Sequence, residues 1–105
     1  MKTQAPPERR IRAPRLAVEY PQEGEVVSSS RYTFRIDADA PRVEIAIDGG
    51  DWRSCRRSDE YWWFDWSDYE SGRHQAMVRG APRPGGEQAA RTCRFVVELP
   101  GSRAR

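Results

Sequence analysis

The stretch YWWFDW, residues 61–66, decides the fold. Trp62, Phe64 and Trp66 alternate with Tyr61, Trp63 and Asp65, and a β-strand turns that period of two into two faces, one wholly apolar and one mixed. Asp59-Glu60 precedes the run and Ser67-Asp68 follows it, so the segment is bounded by residues that favour turns. A strand this aromatic has to find partners that cover its apolar face, and the rest of the chain supplies them with the same period.

Upstream, Val43, Ile45 and Ile47 alternate with Glu44, Ala46 and Asp48, and the run stops at Asp48-Gly49-Gly50. An Asp-Gly pair provides the positive-φ geometry of a tight hairpin, which predicts a return strand from Asp51 to about Arg56. Earlier still, Tyr32, Phe34 and Ile36 alternate with Thr33, Arg35 and Asp37, and Leu16, Val18 and Tyr20 alternate before the turn-like PQEGE at 21–25. Downstream, Ser71-Gly72 makes a corner, then His74, Ala76 and Val78 alternate with Gln75, Met77 and Arg79. After the loop APRPGGEQ at 81–88, Cys93, Phe95, Val97 and Leu99 close the series. No stretch sustains a helical period. Seven short strands with short connections predict an all-β sandwich.

The segments VEIAIDGGDW, YWWFDW and SGRHQAMVRG, taken in order, resemble the immunoglobulin-like early-set domains. The C-terminal domain of sulfite-oxidase-type molybdenum enzymes has a similar Val-Glu-x-x-x-Asp-Gly-Gly-x-x-Trp hairpin, and bacterial Ig-like repeats have a comparable Trp strand and Gly-x-His corner. The resemblance covers roughly residues 14–99. It implies a single seven-stranded immunoglobulin-like sandwich of the early-set, fibronectin-III-like kind over residues 14–100. It also implies an assembly or spacer role without cofactor, since the metal chemistry of those enzymes belongs to a domain that is not in this sequence. In the related Trp-x-x-Ala pattern a small core residue stands where this chain has Cys55.

With 105 residues, the chain has room for one such domain. Four Trp, four Tyr and three Phe supply much of the burial that a low aliphatic content would otherwise withhold. Residues 1–13 and 101–105 read as basic tails, rich in Pro, Arg and Ser. Taking the +4 of residues 1–15 and the +2 of residues 101–105 from the formal +2 leaves residues 16–100 at −4. Such tails suit an acidic partner surface, nucleic acid or lipid headgroups, or simply solubility. Nucleic-acid contact through Arg9, Arg10 and Arg12 is a minor reading, because no recognised nucleic-acid module accompanies them. The segment MKTQAPPERRIRAPR has no apolar core, so neither a signal peptide nor a membrane span is predicted, and the expected compartment is cytoplasmic.

The candidates for chemistry are few. Cys55 and Cys93 both read as small inward hydrophobes. A Cys55-Cys93 disulfide is disfavoured but stays open, and a metal site with His74 falls short of the four ligands that structural zinc needs. His74, the only histidine, reads as a hydrogen-bonding corner residue. Asp59, Glu60, Asp65 and Asp68 fall on turns and outward positions rather than in a cleft. No phosphate loop or nucleophile motif is present, so the sequence predicts a non-enzyme with no metal and no cofactor.

What the core does not need is the outward side of 61–66. Tyr61 and Trp63, beside Asp65, form a predicted apolar patch. Its expected occupant is a protein partner or a second copy of the chain, for which Trp and Tyr are natural anchors. An equal reading is that the chain's own 81–88 loop or N-terminal tail folds over Trp63 and covers it, and the alternative is a carbohydrate stacked on the same rings. A second candidate surface is Trp52 with Arg53, Arg56 and Arg57, for which local packing and pairing is the simpler expectation.

Overall fold

The computed structural model describes residues 15–81 and 89–100. The predicted tails, with Arg9, Arg10 and Arg12, and nearly all of the 81–88 loop lie outside the described residues. Nine strands are formed among them: β1 (Leu16–Tyr20), β2 (Val26–Val27), β3 (Arg31–Ala38), β4 (Val43–Ile47), β5 (Arg53–Ser54), β6 (Arg56–Ser58), β7 (Tyr61–Ser67), β8 (Gly72–Gly80) and β9 (Ala89–Val97). They make two sheets, ordered β1-β3-β7-β6 and β2-β9-β8-β4-β5. All pairings are antiparallel except that of β2 with β9. The all-β sandwich expected from the alternation is the fold observed.

The core lies where the inward residues of the two sheets meet. Phe34, Ile36 and Trp62 come from one sheet, and Val43, Ile45, Ala76, Val78, Phe95 and Val97 from the other. Phe34 is its centre: wholly buried, with the rings of Phe95 at 5.7 Å and Trp66 at 5.8 Å, both edge-on. This is the geometry that the aromatic quadrupole favours.

Three local readings are changed by the structure. Val26–Val27, which has no alternation to reveal it, forms the short β2 against β9. The single predicted return strand is two strands in different sheets: Arg53 and Ser54 pair with β4, whereas Arg56 to Ser58 pair with β7. Cys55 sits at the crossing, its N–H donating to the Val43 carbonyl at 2.9 Å. Tyr20 does not follow Leu16 and Val18 inward. Val18 pairs with Ile36 and Tyr20 with Arg35, so two steps on β1 match one on β3, and this bulge turns Tyr20 to the outer face. The hairpin is as expected, with Asp48 at φ 53° and Gly49 at φ 76°, both central positions left-handed.

Candidate functional site

The register of the four-stranded sheet lines up one row of side chains across all its strands. Tyr20 on β1 is opposite Arg35 on β3, Arg35 is opposite Trp63 on β7, and Trp63 is opposite Arg56 on β6. Tyr61 stands next to Trp63 on the same face, since residues two apart on a strand point the same way. Arg35 is the keystone of the row. Its guanidinium lies 4.9 Å from the Tyr20 ring and 4.4 Å from the Tyr61 ring, and it pairs with Glu19 at 2.7 Å. A cation held between two ring faces and tied to a carboxylate has little freedom, so the row presents a fixed surface.

Trp63 is half-buried rather than open. Its indole N–H donates to the Ser58 carbonyl at 2.8 Å, and its ring meets Tyr61 edge to face, 6.0 Å between centroids and 75° between planes. Asp65 is outward and exposed as expected. It accepts from the Thr33 hydroxyl at 2.9 Å and pairs with Arg56 at 3.3 Å, and these bonds hold its carboxyl below the usual carboxylate range. Arg15 pairs with Asp37 at 3.2 Å on the same sheet. Each cation of the face named here therefore has its own counter-ion, and what remains for a partner is the aromatic and guanidinium surface.

The second predicted surface is not one surface. Trp52 sits with the five-stranded sheet, under the guanidinium of Arg79 at 3.9 Å, and Arg79 is itself paired with Glu44 at 2.8 Å. Arg53 lies over Phe64, Arg56 goes to Asp65, and Arg57 lies over Trp62. The strand switch at Cys55 divides these residues between two sheets, and each arginine is taken up by a local ring or carboxylate, in line with the simpler expectation of local packing and pairing.

Cys55 and Cys93 are both buried and unbridged. Burial, reinforced by Glu44, pushes the Cys55 thiol up to about 12. Burial together with Glu23 and Glu25, against the opposing Arg94, takes Cys93 up to about 11. The Cys93 thiol donates to the Pro21 carbonyl at 3.2 Å. Thiols held this far above neutrality carry little thiolate and are poor nucleophiles.

His74 ties two connections together at one end of the sandwich. Its Nδ1 is 2.6 Å from the Asp48 carboxylate and its Nε2 is 2.7 Å from the Glu70 carbonyl. Both partners are acceptors, so both bonds form only when both ring nitrogens carry protons. Burial pulls the imidazole down, but the bonds to Asp48 and Glu70 outweigh it and raise its pKa above the ordinary value. The ring also packs against Trp66 and Phe95.

The sequence singled out Tyr61, Trp63 and Asp65, and the structure places all three on one face. It missed Tyr20 and Arg35. Arg35 was within reach, because it alternates with Phe34 and Ile36 and must point outward. Tyr20 was not, because nothing local marks the bulge that rotates it.

Two stacked sheets of this order, antiparallel but for the β2–β9 pair, define a β-sandwich of the immunoglobulin and fibronectin-III-like class. Comparison with solved structures agrees on the fold. An engineered protein matches with a TM-score of 0.68 at 20% identity, over 82% of this chain and 20% of its own. The endo-β-1,4-mannanase of Thermotoga petrophila matches with a TM-score of 0.70 at 12% identity, over 86% of this chain and 21% of its own. The fibronectin(III)-like modules of Clostridium thermocellum CbhA match with a TM-score of 0.63 at 18% identity, over 81% of this chain and 98% of that one. This chain thus spans about one fifth of the first two and nearly all of the third. No protein-family model matches the sequence, and no curated protein matches it. Among the described residues no helix is long and apolar enough to cross a membrane.

Proposed function

We propose that this chain is a non-catalytic β-sandwich module that binds a protein partner through the outer face of the β1-β3-β7-β6 sheet. The observation that carries this reading is the row Tyr20, Arg35, Trp63 and Arg56, aligned in register across four strands and flanked by Tyr61. Trp, Tyr and Arg are the residue types that dominate binding energy at protein interfaces. They are held here by backbone pairing and by one another, so little ordering entropy is left to lose on association. Tyr20 is 43% exposed and is the most exposed aromatic residue of the face.

The same rings suit a sugar less well. Tyr61 and Trp63 stand 75° apart, and the Trp63 edge is occupied by Ser58, so the pair offers no coplanar platform for a pyranose. Among the described residues, catalysis finds no poised group on this face either. The cysteines are buried and the shifted carboxyl of Asp65 is locked in a surface pair.

The test is binding by the wild-type chain and by the double variant Tyr20→Ala, Tyr61→Ala, with thermal unfolding as the folding control. A partner bound by the wild type should lose about tenfold or more in affinity with the double variant. Undiminished binding by a folded double variant would move the contact elsewhere. Retention on a glycan panel that depends on these two tyrosines would replace the protein reading with the carbohydrate one.

A further inference from the structure

A second surface of different character opens at the end of the sandwich where His74 sits. A groove of about 430 Å³ runs between the sheets there, walled by Ile45 and Ile47 on one side and by Phe64, Trp66 and Tyr69 on the other. Trp66 and Tyr69 are stacked, 3.9 Å between centroids at 20°. The rim carries Asp51, Asp68 and Glu70; among the described residues none of the three forms a salt bridge, although the Glu70 carboxylate acts through space on His74. Asp48 is already engaged by His74. The groove holds one guanidinium of its own, that of Arg53, 5.6 Å from the centre of the Phe64 ring. Its lining is thus aromatic and, with four carboxylates (Asp48, Asp51, Asp68, Glu70) against Arg53 and a protonated His74, still in excess of negative charge. Among the described residues no three His, Cys, Asp or Glu side chains are grouped so as to hold a metal ion.

We propose that this groove binds an arginine side chain presented by a basic peptide segment of a partner protein, with the guanidinium against the Trp66–Tyr69 pair and its N–H groups directed to the Asp68 and Glu70 carboxylates. Arginine fits better than lysine because a planar guanidinium stacks on aromatic rings and forks to carboxylates, neither of which a compact ammonium does as well. A neutral sugar would leave the carboxylate excess uncompensated, and an anionic ligand would be repelled by it. Arg53 over Phe64 is the intramolecular instance of the contact proposed. The groove is separate from the outer face argued above, so the two readings fail independently.

The experiment follows the tryptophan indole N–H signals of the full chain by NMR during titration with an acetylated, amidated Gly-Gly-Arg-Gly-Gly peptide. Its citrulline analogue, which has the same shape without the charge, serves as the comparison. The expected result is a saturable shift of the Trp66 signal with the Trp63 signal still, no saturation with citrulline, and affinity about five-fold weaker in the double variant Asp68→Asn, Glu70→Gln. An unmoved Trp63 signal in that variant certifies its fold. Equal response to citrulline, an unweakened double variant, or a Trp66 shift produced by a neutral oligosaccharide instead would each overturn the proposal. So would a response that appears only after residues 101–105 are removed, since the chain's own Arg103 and Arg105 would then be the occupants.

Discussion

The two faces of β7 come from seven consecutive residues and are held in opposite ways. Inward, Trp62 is 7% exposed, and its indole N–H is buried without a hydrogen-bond partner, so this side chain is retained by packing and by the Arg57 guanidinium over its ring, with no directed bond of its own. Outward, Trp63 is half-buried and bonded through its indole N–H to Ser58, while Asp65 is bonded to Thr33 and Arg56. One face is stabilised by excluded water and the other by directed polar contacts. Alternation says which side a residue is on; it does not say what covers it.

The comparison breaks most visibly at Trp62. Trp62→Ala removes a large side chain from a buried site and should cost about 3–5 kcal/mol in chemical denaturation. The lost indole N–H should reduce that cost slightly, because an unpaired buried donor is itself unfavourable. A loss below about 1 kcal/mol would mean that the inward face is not held by packing, and the contrast with Trp63 would go with it.

His74 tests the end of the inward face, where it packs on Trp66. Its folded pKa is raised above 6.5, so the protonated form is stabilised by folding. That contribution is complete below the unfolded value and disappears as pH rises through the folded one. Loss of one of the two bonds should remove roughly 1 kcal/mol, or about 4–8 °C in melting temperature for a domain of this size. His74→Leu should flatten the same pH profile, and an equally steep profile in that variant would assign the effect to another group.

These differences also explain what could be read from the sequence. The sandwich was legible because its signal is repeated: Phe34 and Ile36, Ile45 and Ile47, Ala76 and Val78 all keep one phase with β7. The Asp48-Gly49 hairpin was legible because left-handed φ is a local demand met by a local residue choice. The split of the return strand at Cys55 was not, since a strand that leaves one sheet for another does so on tertiary grounds and Arg53 to Ser58 carries no apolar alternation. The outward face was half legible for the same reason. Tyr61, Trp63 and Asp65 followed from phase, whereas Tyr20 depended on a bulge between β1 and β3. The groove at Trp66 and Tyr69 was invisible, because it joins residues of both sheets and its carboxylates lie in turns.

Trp63→Phe sharpens the comparison at smaller scale. Phenylalanine keeps an edge contact with Tyr61, deletes the bond to the carbonyl of the exposed Ser58, and gives up only part of the half-buried ring area. The expected cost is about 0.5–1.5 kcal/mol, measured as a shift in denaturation midpoint at constant slope. A cost equal to that of Trp62→Ala would show that the outward ring is as buried in effect as the inward one.

The smallest effect belongs to Asp65 and Arg56. The side chains are 66% and 57% exposed, so water screens their attraction and a double-mutant cycle with Asp65→Asn and Arg56→Ala should give a coupling of only about 0.2–1 kcal/mol. Asparagine keeps an acceptor for the Thr33 hydroxyl, which isolates the charge. The coupling should shrink further in high salt. It should also vanish in acid: the carboxyl is held below its ordinary range by Thr33 and Arg56, so its contribution exists above the unfolded pKa and is lost as pH falls through the folded one. A coupling well above this range and indifferent to salt would make the outward face part of what keeps the domain folded. It would then be less free to serve as a surface for another protein.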